Sequence, residues 1–190
     1  MALKRARGKV IAVFGGSRVE AGTPAWDEAY CAGKALAEAG FVVMNGGYNG
    51  AMSAVSQGAR QAGGRVIGVT CDLFSHLSPN PWLTEERRTT TLHERLWVMT
   101  QEADGYLALR GSIGTLSELT LAWSLIYTGS VPPRPLVLLG EPYRRLLQAL
   151  AETTYLRPEE RSLVRVVETV AEAVEALRSP TYRPSPNPRG

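Results

Sequence analysis

Apolar residues along this chain fall into two alternating rhythms, short unbroken runs and stripes spaced three or four apart, which predict strands and helices in turn. Val10 to Phe14 is the first run, closed by Gly15-Gly16-Ser17-Arg18. Thr23 then caps a helix with Pro24 at its first position and Asp27 and Glu28 in its first turn. Ala25, Ala29, Ala32, Leu36 and Ala39 form its apolar stripe, and Gly40 ends it. Phe41 to Met44 reads as the second strand, Asn45 to Gly50 as a glycine turn, and Ala51 to Ala62 as a small-residue helix stopped by Gly63-Gly64. Arg65 to Thr70 is the third strand. From Cys71 to Thr91 the rhythm lapses, with only a short strand expected near Arg88 to Thr90, and a loop of that length in a compact domain points to function. Leu92 to Glu102 is helical, Tyr106 to Leu109 is a strand, and a helix runs from about Thr115 to Tyr127. After the Pro-rich turn at Val131 to Pro135 come a strand at Leu136 to Leu139, a helix at Tyr143 to Thr154, a short strand at Leu163 to Val167 and a helix at Thr169 to Leu177.

Strands alternating with helices from end to end predict an α/β fold, an open, mainly parallel sheet with helices on both faces. Residues 1–178 suit one domain, and the Pro-rich stretch 179–190 is expected to be a disordered tail. With 44% hydrophobic and 21% charged residues, the composition is that of an ordinary globular protein. The net charge of +3 is small, and its arginines are scattered, so nucleic acid is not an expected partner. No run approaches the roughly 20 apolar residues of a membrane span, and the basic N-terminus lacks a signal-peptide core, so the expected location is cytoplasmic. Cys31 and Cys71 lack metal-ligand or Cys-x-x-Cys spacing, and no metal is expected. Cys31 reads as a small core residue. Cys71, at the end of a strand, stands where a ligand could lie.

The segment Ala103 to Trp123 carries the most chemistry. A strand runs into the small-residue turn Gly111-Ser112-Ile113-Gly114-Thr115, and Leu116, Leu119 and Trp123 then recur at helical spacing. Free N–H groups and the dipole at the start of such a helix suit an anion, most often a phosphate. Glu118 stands one turn further on, where a carboxylate beside a phosphate points to chemistry rather than support. The residues alone leave an ordinary connection, with Glu118 on a solvated face, equally open. Turns at 15–17, 46–50 and 111–115 all follow strands, and in a parallel sheet such turns gather at the carboxyl edge. None carries G-x-G-x-x-G or the Gly-Lys-Ser/Thr ending of a P-loop, which disfavours nicotinamide reductases and ATPases and leaves a smaller phosphate-bearing molecule.

Phe14-Gly15-Gly16-Ser17, Gly46-Gly47-Tyr48-Asn49-Gly50-Ala51-Met52, His93-Glu94-Arg95 and Gly111 through Glu118 together resemble the Lonely Guy family, often labelled lysine decarboxylase-like, over roughly residues 10–178. The resemblance implies a Rossmann-like domain, a homodimer or higher homo-oligomer, no metal and no cofactor. It also implies a phosphoribohydrolase that releases the base from a nucleoside 5′-monophosphate. With lysine only at positions 4, 9 and 34, a Schiff-base decarboxylase is not expected. The family's catalytic pair falls on Arg95 and Glu118. Its phosphate and nucleotide contacts fall on Gly16, Ser17, Gly46, Gly47, Gly50, Met52, Arg110, Gly111, Ser112, Ile113, Gly114 and Thr115. A carboxylate beside the anomeric carbon stabilises the cation that develops when an N-glycosidic bond breaks, or orients the attacking water. Arg95 would hold Glu118, the leaving base or the phosphate; read without the family, it is a solvated helix arginine.

The chain departs from the family where Pro-Gly-Gly becomes Arg110-Gly111-Ser112 and where Leu96 replaces the usual basic residue. A non-catalytic carrier of a nucleotide or molybdopterin-like ligand is the alternative function. An assembly role is a third, resting on the apolar helix Leu119 to Tyr127, whose Trp123 would lie in a dimer interface or in the core. His93, two residues before Arg95, falls on another helix face.

Overall fold

A computed structural model describes residues 8–179; the expected tail lies outside the described residues from 180 on. The elements run β1 (Val10–Phe14), α1 (Pro24–Glu38), β2 (Val42–Asn45), α2 (Ala51–Gln61), β3 (Val66–Cys71), a 3₁₀ turn at Asp72–Phe74, β4 (Glu85–Thr89), α3 (Leu92–Gln101) and β5 (Gly105–Ala108). They continue with α4 (Ile113–Tyr127), β6 (Leu136–Leu139), α5 (Glu141–Thr153), α6 (Pro158–Arg161), β7 (Val164–Val167) and α7 (Val170–Arg178). Seven strands form one sheet in the order β4-β3-β2-β1-β5-β6-β7, and every neighbouring pair is parallel. This is the α/β, Rossmann-like arrangement that the alternation predicts.

The strand runs are continuous because the inner strands are covered on both faces. Ile11, Val13, Val43, Leu107 and Val137 face α1, α2 and α7, which contribute Ala32, Leu36, Val55 and Leu177. Ala12, Phe14, Met44, Val69, Tyr106 and Leu138 face α3, α4 and α5, which contribute Met99, Leu119, Trp123 and Leu147. Phe14 and Tyr106 stack in this second layer with ring centroids 5.9 Å apart. Truncating such a fully buried aromatic to Ala costs about 3–5 kcal/mol.

Local signals start the helices as read: the Thr23 hydroxyl accepts from the Trp26 amide at 3.3 Å, and Pro24 occupies the first turn. Three readings need correction. Ala25 and Cys31 are exposed, because α1 buries only the face carrying Ala29, Ala32, Gly33 and Leu36. The strand expected near Arg88 to Thr90 is Glu85–Thr89, an edge strand whose charges pair laterally, Arg87 with Glu85 at 2.8 Å and with Glu102. The one-turn helix α6 was not predicted; it receives the Trp123 indole N–H on the Glu160 carbonyl at 2.8 Å, so Trp123 belongs to the core. No helix among the described residues is long and apolar enough to cross a membrane.

Because the chain builds outward from β1 to β4 and then returns to β5, the connections leaving β1 and β5 diverge at the carboxyl edge. A crevice at such a reversal is where ligands bind in open parallel sheets.

Candidate active site

Two helices on the same sheet face bring Arg95 and Glu118 together. Thr91 caps α3 by accepting from the Glu94 amide at 3.1 Å, and the Glu94 carboxylate turns back to the Thr90 amide at 2.8 Å and hydroxyl at 2.9 Å. These bonds hold the Glu94 carboxyl below the usual glutamate range and fix the first turn from which Arg95 projects inward. Arg95 is only 7% exposed, which rules out a solvated arginine. Its Nε donates to the Val69 carbonyl at 2.8 Å and its Nη1 to Glu118 Oε1 at 3.1 Å. Its Nη2 occupies the space that a side chain at position 46 would fill, so Gly46 is the slot into which the guanidinium fits.

Glu118 sits in the second turn of α4 and is equally enclosed at 7% exposure, so it does not lie on a solvated face. Burial pushes its carboxyl above the ordinary value, and the Arg95 charge and hydrogen bond oppose that rise. The pair is thus a buried ion pair held between two helices rather than a surface salt bridge.

It opens onto a cleft of about 300 Å³ lined also by Gly15, Ser17, Tyr48, Asn49, Met52, Phe74, Leu77, Ser112, Gly114 and Thr115. Among the expected contact residues, Ser17, Met52, Ser112, Gly114 and Thr115 therefore border it with Arg95 and Glu118. Gly16, Gly46, Gly47, Gly50, Arg110, Gly111 and Ile113 do not. The first six of these build the walls from behind. Gly16 donates to the Arg110 carbonyl at 3.2 Å, and its own carbonyl accepts from Ala51 at 2.9 Å, tying the three glycine turns together. A side chain on Gly111 would collide with Thr115, and Gly50, at φ +70°, abuts Gly16 and Ser17. Gly47 donates to the Asn45 carboxamide at 2.8 Å. Ile113, by contrast, is 78% exposed at the start of α4. Ser112 caps that helix without a side-chain hydrogen bond.

Sequence reasoning marked the loop of the outer wall as functional but missed the residues that build it. Tyr48 accepts from the Cys71 amide at 2.8 Å and donates to the Cys71 carbonyl at 3.1 Å, so Cys71 is held by its backbone and is not a cleft residue. Asn80, 5% exposed, donates from its amide to Gly47 at 2.8 Å and from its side chain to the Tyr48 carbonyl at 3.1 Å. These two anchors pin the loop between them, and Phe74 meets Tyr48 edge-on at 5.8 Å. The sequence signal for this wall was the lapse of rhythm from Cys71 to Thr91, a long loop that pointed to function without naming its residues. His93 is exposed on the far side of α3. Among the described residues, no three His, Cys, Asp or Glu side chains gather as a metal site.

Comparisons with known proteins bear on the family and the fold. The family described as "Possible lysine decarboxylase" matches residues 52–177. A cytokinin riboside 5′-monophosphate phosphoribohydrolase of Rhodococcoides fascians is 31% identical over 182 residues, covering 90% of each chain. One of the same description from Mycobacterium tuberculosis is 32% identical over 151 residues, covering 76% of this chain and 80% of its own. In three dimensions, the molybdenum cofactor binding protein of Rippkaea orientalis superposes with a TM-score of 0.72 at 25% identity, over 90% of this chain and 95% of that one. Among the described residues, neither lysine, Lys9 or Lys34, lines the cleft to supply the Schiff base that a decarboxylase label suggests. The parallel α/β sheet, a family match over well over half its length and relatives at 31% and 32% identity place this chain in the Lonely Guy family of lysine decarboxylase-like proteins.

Proposed function

We propose that this protein hydrolyses the N-glycosidic bond of a nucleoside 5′-monophosphate, releasing the base and ribose 5-phosphate. The observation that carries the reading is the buried Arg95–Glu118 pair opening into a cleft beside the start of α4. The 5′-phosphate takes the free amides of that helix start with the Ser112 and Thr115 hydroxyls, the dipole favouring its charge. This sets the ribose against Glu118. As the bond from C1′ to the base nitrogen breaks, its electron pair leaves with the base and C1′ becomes cationic. The Glu118 carboxylate stabilises that cation and accepts a proton from water as the water oxygen bonds to C1′; the proton then passes to the departed base. Arg95 keeps Glu118 ionised and aimed. Two similar proteins described as phosphoribohydrolases support the reading.

Incubation with a panel of nucleoside monophosphates is expected to yield free base, and Glu118→Ala to abolish it. No release by the wild type, or undiminished release by the variant, overturns the reading. The Rippkaea neighbour and the altered Arg110-Gly111-Ser112 turn favour a second reading, a carrier that holds its ligand without turnover. Retention of a phosphorylated ligand with no base released from any of the panel would establish it. The enzyme reading carries with it a cytoplasmic homodimer, which light scattering on the purified protein and localisation in cells check.

A further inference from the structure

Residues 109–112 form the turn that presents the start of α4, and Arg110 through Gly114 are all exposed. Among the described residues, three hydrogen bonds tie Leu109 and Arg110 to the rest of the fold. The Leu109 amide donates to the Phe14 carbonyl at 2.8 Å, and the Gly16 amide donates to the Arg110 carbonyl at 3.2 Å. The third comes from a side chain on a different element: the Tyr143 hydroxyl, on α5, donates to the Leu109 carbonyl at 2.8 Å. Tyr143 is 5% exposed and packs in the same layer as Phe14, Tyr106 and Leu119. No α5 residue lines the cleft.

We propose that Tyr143 is a positioning residue for the phosphate end of the cleft: its bond to the Leu109 carbonyl holds the 110–112 turn, and with it the amides at the start of α4. A buried phenol needs some acceptor, and a helix carbonyl would have satisfied it. Instead it takes the last strand-side carbonyl before the turn. The two backbone bonds run to the end of β1 and to the turn after it, so among the described residues Tyr143 supplies the side-chain hydrogen bond that ties the turn to a helix. Burial, then the nearby Glu118 charge, push its phenol up to about 12, so it remains a donor at every working pH. The turn therefore rests in part on a side chain of the core layer that also holds Leu119, the residue after Glu118 on α4.

This rests on the phosphate-binding reading above, and the test separates the two. Ribose 5-phosphate is the probe, titrated by calorimetry into wild type, Tyr143→Phe and the packing control Leu147→Ala, which truncates a buried residue on the same helix. For Tyr143→Phe the expected result is binding weakened about tenfold, and a KM for the monophosphate raised by the same factor with kcat changed by less than about threefold. Leu147→Ala is expected to lower Tm while leaving the probe's affinity within about twofold. Wild-type binding with Tyr143→Phe equal to it overturns the positioning role alone, whereas no binding by the wild type overturns both. Amide exchange on the wild type gives a readout that needs no variant. Ribose 5-phosphate is expected to slow exchange in the 111–114 amides and in the first turn of α5 together, and protection confined to 111–114 overturns the coupling.

Discussion

The two walls of the cleft are built on opposite plans. The inner wall places Arg95 and Glu118 on long helices, both side chains enclosed and joined at 3.1 Å, with the guanidinium also anchored to a strand carbonyl. The outer wall is a loop without regular structure between Phe74 and Asn80, where Leu77 remains 36% exposed and only the end anchors at Tyr48 and Asn80 are buried. Groups that must meet a reacting atom within a fraction of an ångström need the rigidity of the first plan. A surface that only has to cover an apolar part of a ligand can be supplied by the second. Chemistry and selectivity should therefore separate cleanly between the walls when each is altered.

Arg95→Ala is expected to strain that contrast most. It leaves the Glu118 carboxylate buried without a partner and should cost about 3–5 kcal/mol in urea unfolding. It should also move the acid limb of the pH–activity profile upward, because the group opposing the burial effect is gone. Glu118→Gln comes next, with base release down at least about a hundredfold while ribose 5-phosphate binding is held. The same variant gives a stability test of the raised carboxyl. A proton bound more tightly in the folded state stabilises the fold fully below the ordinary glutamate value of 4.5, and that contribution fades as pH rises through the raised value. Wild type minus Glu118→Gln, measured by unfolding across this range, should therefore decline with pH; a rise would show that Arg95 dominates over burial.

Smaller effects are expected from the outer wall. Asn80→Ala frees one end of the loop and removes the side-chain partner of the Tyr48 carbonyl and of the Trp82 amide, costing about 1–3 kcal/mol and raising KM. Phe74→Ala should raise KM about tenfold or less with kcat nearly constant, read from initial rates. A large loss of kcat from either would break the division of labour between the walls.

The inner wall was far more legible in the sequence than the outer one. Val10 to Phe14 and Leu136 to Leu139 could be read because parallel strands covered on both faces need unbroken apolar runs. The 85–89 strand was read only at its end, near Arg88 to Thr90, since an edge strand of Glu-Glu-Arg-Arg-Thr carries no apolar period and its charges form ion pairs. Glu118 was singled out by its place one turn into a helix start that suits an anion, with a solvated face equally open, whereas Arg95 came from the family resemblance alone, because arginine is ordinarily at the surface. Phe74, Leu77 and Asn80 had no period and no motif. Their position depends on hydrogen bonds to Tyr48 and Gly47, more than 20 residues away in sequence, which no local pattern encodes.

The slot at Gly46 links two positions that are far apart in the chain but cannot vary independently. While Arg95 is present, a methyl group at 46 meets its guanidinium and Met52 behind it, so Gly46→Ala should be among the most damaging small substitutions in the protein. Once Arg95 is shortened to alanine, the same methyl group enters vacated space, and the double variant should be less impaired in stability than the sum of its parts. The two sites thus show positive epistasis in stability. Descendants that abandon the arginine are freed to drift at 46, and those that keep it are bound to glycine.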